Sequence, residues 1–163
     1  MEKLDILYRE MIVYYAADAK QIQHLTKVHS FARLIGKMEG LDADTLEILE
    51  AAAYVHDIGI RPALEKYGNC SGKLQEELGP EPARELLEKC GFSAPLTERA
   101  AYLVGHHHTY ENMDGMDYQI LVEADFLVNL FEGESRIETI KKTYETIFRT
   151  KSGREICRDM FGL

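Results

Sequence analysis

Leu46-Glu47-Ile48-Leu49-Glu50-Ala51-Ala52-Ala53-Tyr54-Val55-His56-Asp57-Ile58-Gly59 is an apolar run that ends on an imidazole and a carboxylate side by side. Leu46, Ile48, Leu49, Ala51 to Tyr54 and Val55 mark the run for burial, so His56 and Asp57 fall where the chain enters the interior. A buried carboxylate costs several kcal/mol unless it is paired or coordinates a metal. The pair therefore points to a cation held at the end of a core helix.

Working outward, the next question is whether other ligand-type side chains share apolar faces. With residues 19–38 on a wheel at ~100° per residue, Leu25, Val28, Phe31, Ala32 and Ile35 fall on one arc, and His24 lies near its middle. His29 sits at the edge of that arc beside Arg33 and Gly36, which reads as a boundary histidine and not as a ligand. In residues 118–131 the apolar stripe of Ile120, Leu121, Ala124, Leu127, Val128 and Phe131 also contains Asp125, one turn from Leu121 and Val128. Taken singly, His24 reads as a core histidine and Asp125 as a salt-bridge partner at a helix edge. Taken with His56 and Asp57, they form a mixed nitrogen and oxygen set from three helices, suited to a divalent first-row metal. Such a centre lowers the pKa of bound water and supplies a nucleophile at neutral pH.

The rest of the chain reads as helix almost throughout. Asp18 caps a helix from Ala19 to Met38 that stops at Gly40, and Asp42 or Asp44 opens the next, which Gly59 and Pro62 break. Residues 67–79, with Gly68, Asn69, Ser71 and Gly72, read as a loop or short lid holding at most one helical turn. Further helices are expected over 80–89, 95–107, 118–131, 135–148 and 154–160. This gives an all-α, single-domain bundle of about seven helices over residues 1–163, with no repeat, linker or low-complexity segment. Tyr144, Phe148, Met160 and Phe161 suit either the core or a face between two copies, and a homo-oligomer stays open.

Composition sets limits on partners. The 163 residues, 45% hydrophobic and 29% charged, suit a soluble globular chain, and the net charge of −9 with no Lys/Arg block disfavours a polynucleotide. No apolar stretch reaches the roughly 20 residues that span a bilayer, and the N-terminus lacks a secretory apolar segment, so no membrane partner and a cytoplasmic location are expected. Cys70, Cys90 and Cys157 are scattered, without a CxxC, and read as reduced thiols.

The order His24 with Val28 and Ala32, then His56-Asp57-Ile58-Gly59, then Glu123-Ala124-Asp125 resembles the HD-domain superfamily of metal-dependent phosphohydrolases. The resemblance covers residues 18–131, leaving 132–163 as C-terminal helices. It implies a bundle holding one divalent transition metal (Mn, Fe, Ni, Co or Zn), or two, ligated by His24, His56, Asp57 and Asp125. It also implies hydrolysis of a small phosphorylated metabolite or nucleotide by metal-activated water, with Asp57, His107 or His108 handling the proton. In members with two metals a further histidine lies between the HD pair and the later histidines. None stands between His56 and His106 here, so a second ion would draw on Glu76, His107 and His108, Gln75 or Glu76 occupying the intermediate place. A single ion is favoured.

Other members are set aside by sequence. The Gly-Tyr-Pro of the HD-GYP cyclic-dinucleotide phosphodiesterases is replaced by Met116-Asp117-Tyr118. The acidic residue that follows the HD pair in deoxynucleotide 5′-monophosphatases is missing from Ile60-Arg61-Pro62, the nearest being Glu65. Arg61 and Lys66 are the expected phosphate-binding cations. Two alternatives share the scaffold: a di-iron oxygenase using Glu76 with His107 or His108, and a non-catalytic sensor or binding domain stabilised by its metal.

Overall fold

The computed structural model describes all 163 residues. It contains ten helices: α1 Lys3–Tyr14, α2 Ala19–Met38, α3 Ala43–Val55, α4 Ile60–Tyr67, α5 Gly72–Leu78, α6 Pro80–Lys89, α7 Ala94–Val104, α8 Met116–Glu132, α9 Ile137–Thr146 and α10 Lys151–Phe161. The all-α class stands. The count exceeds the expected seven because three helices were not foreseen, each for a separate reason.

Helix α1 has only a narrow apolar seam, with Leu7 and Met11 buried one turn apart against α3. Helix α4 forms in spite of Pro62. Gly59 is its N-cap, so Pro62 falls in the first turn, where a missing N–H breaks no intrahelical bond. Helix α5 occupies most of the expected loop. Ser71 caps it by accepting the Leu74 N–H at 3.3 Å, and only residues 68–71 between α4 and α5 are irregular.

The frame of the molecule is α2, α3 and α8. Helix α2 packs along both of the others, and α3 also packs on α7. Asp18 accepts the Gln21 N–H at 3.1 Å and Asp42 the Thr45 N–H at 2.9 Å, which fixes where α2 and α3 begin. Residues Leu49 to Val55 of α3 are all buried, and the small side chains of Ala51 to Ala53 let neighbouring helices close in from every side. Where α2 meets α3, a Cβ on Gly36 would stand 2.9 Å from Leu46 Cδ1 and 3.1 Å from Leu49 Cδ2.

Two devices hold the turn after α3. From one side, Tyr15 donates its hydroxyl to the Asp57 carbonyl at 2.9 Å, and Arg61 donates to the Tyr14 carbonyl, strapping α1 to the turn. From the other, Gly59 lies against the α5–α6 corner so closely that a Cβ would meet Gln75 O at 2.6 Å and Gly79 N at 2.9 Å. The requirement at Gly59 is room, since its φ of −71° suits any residue.

Helix α8 is tied to the C-terminal helices by a buried carboxylate. Glu123 accepts the N–H groups of Arg149 at 2.5 Å and Thr150 at 2.9 Å, the Thr150 hydroxyl at 2.5 Å and the Gln119 amide at 2.8 Å. Phe148 belongs to the core, whereas Met160 is exposed; Tyr144 and Phe161 are half-buried against the core. The three cysteines are free thiols. No helix is long and apolar enough to cross a membrane.

Candidate metal centre

Where α2, the C-terminal end of α3 and the middle of α8 converge, the four residues singled out first come together. His24 Nε2 lies 3.3 Å from Asp57 Oδ2 and 3.2 Å from Asp125 Oδ1. His56 Nε2 lies 3.5 Å from Asp57 Oδ1 and 3.3 Å from Asp125 Oδ1. A fifth ligand-type atom comes from the segment after α7: His107 Nε2 stands 3.3 Å from Asp57 Oδ1. All five residues are buried, His56 completely. The ligand atoms of His24, His56 and Asp57 form one compact group and those of Asp57, His107 and His108 another, so Asp57 is shared by both.

The outer ring nitrogens decide what the inner ones can do. His56 Nδ1 faces the Ala53 carbonyl at 2.9 Å, and His107 Nδ1 faces the Val104 carbonyl at 2.7 Å. A carbonyl only accepts, so both rings carry their proton on Nδ1, and a neutral ring then presents the Nε2 lone pair inward. His24 Nδ1 is likewise engaged by Glu132 Oε1 at 3.0 Å. Three lone pairs thus face two carboxylates, and the buried Nε2 atoms of His24 and His107 have no hydrogen-bond partner. The arrangement is attractive only with a second proton on the rings or a cation among them.

Without an ion, protons take that place. Burial disfavours the charged imidazole of His24, but the Asp125 and Asp57 carboxylates outweigh it and push its pKa up to about 10. Burial would likewise raise Asp57, yet the charge of His56 and contacts from His107 and His24 hold it well below the ordinary carboxylate value. The donor set, two carboxylates with imidazoles whose outer nitrogens are fixed by carbonyl or carboxylate partners, fits a divalent transition metal.

A cleft of about 350 Å³ opens from the centre, and Ile60 is its one hydrophobic lining residue. Gln21 donates its amide to Asp57 Oδ2 at 2.9 Å, and Asn129 donates to Asp125 Oδ1 at 3.0 Å. On the far wall His108 donates from Nε2 to Gln75 Oε1 at 3.0 Å, while the Gln75 amide donates to the Cys70 carbonyl at 2.9 Å. The Cys70 carbonyl fixes the Gln75 amide orientation and, through it, the His108 tautomer. Tyr110 hydroxyl stands 3.4 Å from His108 Nδ1, so both ring nitrogens are engaged. Burial and the neighbouring His107 lower the His108 pKa to about 4, which keeps it neutral at pH 7.

Three expectations about individual residues are corrected. Arg61 does not reach the cleft: it turns toward α1, bonded to the Tyr14 carbonyl and lying over the Tyr14 and Tyr15 rings at 5.1 and 5.6 Å. Lys66 is exposed, 5.1 Å from the Tyr67 ring, and also lies outside it. Glu76 accepts the Thr109 hydroxyl at 2.8 Å and lines a separate cavity with Tyr102 and His106, so Gln75 is the member of that pair that faces the centre. His29 is a boundary residue as expected, bonded to Glu50 at 2.9 Å and stacked on Tyr54.

Sequence reasoning missed Lys20, Gln21, Asn129 and Glu132, all of which line the cleft. Helical phase would have found them. Lys20 and Gln21 lie one turn before His24, and Asn129 and Glu132 lie one and two turns after Asp125, on the same helix faces as those two residues.

Comparisons with known proteins bear on the fold and the family. A crystal structure of a predicted HD superfamily hydrolase from an uncultured Thermotogales bacterium is similar over 98% of this chain and 83% of its own, with a TM-score of 0.66 and 25% identity. No curated protein matches the chain. Residues 22–142, which carry every residue of the centre, match the family model described as HD domain. The chain belongs to the HD domain family.

Proposed function

We propose that this protein is a metal-dependent phosphohydrolase that acts on a small phosphorylated metabolite or nucleotide with a single ion. The observation that carries the reading is the inward set of unpartnered imidazole nitrogens and paired carboxylates at the floor of an open polar cleft. His24, His56, Asp57 and Asp125 would hold the ion. When bound, a divalent ion supplies Lewis acidity to a phosphoryl oxygen and lowers the pKa of water.

The chain's own groups account for the remaining work. Lys20, the one lysine or arginine lining the cleft, meets the phosphate charge in place of Arg61 and Lys66. Asp57 Oδ1 and His107 Nε2, 3.3 Å apart, form a pair able to take up the proton of attacking water. In the overall reaction the water oxygen forms a new bond to phosphorus, the ester P–O bond breaks, and the proton passes to the departing alkoxide. Neutral His108 and Gln75 hold the far wall. With Glu76 turned elsewhere and both ring nitrogens of His108 engaged by Gln75 and Tyr110, a second ion would have few free ligands beyond Asp57 and His107, which disfavours the di-iron oxygenase. The net charge of −9 favours a small substrate over a polynucleotide.

The test is elemental analysis of anaerobically purified protein, paired with hydrolysis of a generic phosphate ester in added Mn, Ni, Co, Mg or Zn. One ion per chain with ester hydrolysis is the expected result. Two irons without hydrolysis would favour oxygen chemistry, and metal that stabilises the fold without turnover would favour a sensor domain.

A further inference from the structure

The part of the substrate that does not react must fit the cleft wall above the centre. That wall has a definite hydrogen-bonding pattern because two of the cleft's three carboxamides, those of Gln21 and Asn129, are each oriented by a carboxylate. A carboxylate only accepts, so the Gln21 amide turns its N–H to Asp57 and the Asn129 amide turns its N–H to Asp125. Gln21 Oε1 and Asn129 Oδ1 are the ends left without a protein partner. Glu132 adds a third acceptor: its Oε1 is shared by His24 Nδ1 at 3.0 Å and Lys27 Nζ at 3.3 Å, and its Oε2 has no protein partner.

The mouth of the cleft therefore offers three oxygen acceptors beside one ammonium, Lys20. A ligand surface that serves such a wall must donate hydrogen bonds at several points. An apolar or aromatic group pressed there would strip water from these oxygens and return nothing. Hydroxyl groups fit because each donates to an amide or carboxylate oxygen while still accepting from a neighbour.

We infer that the alcohol released is a compact polyol, so that the substrate is a sugar phosphate or polyol phosphate and not a nucleotide or an aryl or alkyl phosphate. The inference rests on the phosphohydrolase reading and names its substrate class. Phosphate binds at the ion and Lys20, and the hydroxyls bind Gln21 Oε1, Asn129 Oδ1 and Glu132. Because the same amides orient Asp57 and Asp125, a hydroxyl bonded to them also braces the carboxylates that hold the ion.

The experiment compares matched pairs on the metal-loaded protein: glycerol phosphate against propyl phosphate, and a hexose phosphate against nucleoside 5′-monophosphates and p-nitrophenyl phosphate. Turnover is followed by phosphate release and binding by calorimetry. Glycerol phosphate and the hexose phosphate are expected to show kcat/KM and affinity at least about tenfold higher than their comparators, which strip water from one or more of these acceptors without pairing them. Equal or better use of propyl phosphate, or preference for the nucleotides, overturns the inference while leaving phosphohydrolase activity in place. Tighter binding of the hydroxylated compounds without phosphate release upholds the recognition and overturns the reaction. Binding of none of them overturns the inference.

Discussion

Gly59→Ala tests whether the turn carrying the ligands is held by backbone packing. A Cβ added at Gly59 would stand 2.6 Å from Gln75 O, 2.9 Å from Gly79 N and 3.0 Å from Gly79 Cα. All three obstacles are main-chain atoms, so no side chain can rotate away and the turn must separate from the α5–α6 corner. Overpacking of this kind costs about 1–3 kcal/mol. The φ of −71° removes any conformational penalty for alanine, and the less flexible unfolded chain returns about 0.4–1 kcal/mol. The net expectation is a loss of about 1–2 kcal/mol, seen as a lower urea midpoint at unchanged slope, and about 2–4 °C in melting temperature for each kcal/mol. His56 and Asp57 sit on the displaced turn, so metal affinity falls in parallel, and the Gln75 to His108 bond loosens as α5 moves. A variant at least as stable as the parent, with undiminished metal affinity, would refute the argument that Gly59 is there for room.

Asp57→Ala removes the residue shared by both ligand groups. It should abolish metal binding and hydrolysis while circular dichroism shows helix content largely kept, and retained metal would sink the ligand assignment. Glu132→Gln keeps a hydrogen-bonding side chain next to His24 but loses the charge; metal affinity by calorimetry should fall about 10-fold, and Glu132→Ala up to about 100-fold. An unchanged affinity in both variants would show that Glu132 does not support His24. Lys20→Met should raise KM for every phosphate ester with kcat and metal content nearly unchanged; a fall in metal content would contradict its role. For ion-free protein in chelator, His24, raised to about 10, gives stability that is complete below its unfolded value near 6.5 and is lost as pH climbs through 10. His108, lowered to about 4, gives stability that is complete above 6.5 and is lost as pH falls through 4. Urea midpoints should therefore peak near pH 6.5, a bound ion should flatten the alkaline side, and a continued rise to pH 9 without ion would contradict the assignment.

Helical phase and the cost of buried charge made the floor of the site readable from sequence. His24 and Asp125 each sit inside an apolar stripe, and His56 and Asp57 end one, so the pattern that marks core also marks the exceptions within it. Reasoning failed where nearness in sequence replaced phase. Arg61 follows the ligand turn directly, but α4 starts there and carries it toward Tyr14. Between Gln75 and Glu76 a single step of about 100° around α5 decides which faces the centre. Pro62 hid α4 because a proline in a first turn looks, in sequence, like one that ends a helix. The hydrogen-bond chain from Cys70 through Gln75 and His108 to Tyr110 joins segments that no local rule connects.

The wide spacing of the centre's parts along the chain bears on when the ion can arrive. His56 and Asp125 are 69 positions apart, and His24 and Glu132 are 108 apart. During synthesis His24, His56, Asp57 and His107 all emerge before Asp125 and Glu132. Asp125 and Glu132 join after α8 has been made and has docked against α2 and α3, a late, non-local event. The full donor set is therefore completed only as the last part of the site docks. A mixed nitrogen and oxygen set of this kind accepts several divalent ions, so expression in different metal supplies is expected to yield the same fold carrying different ions.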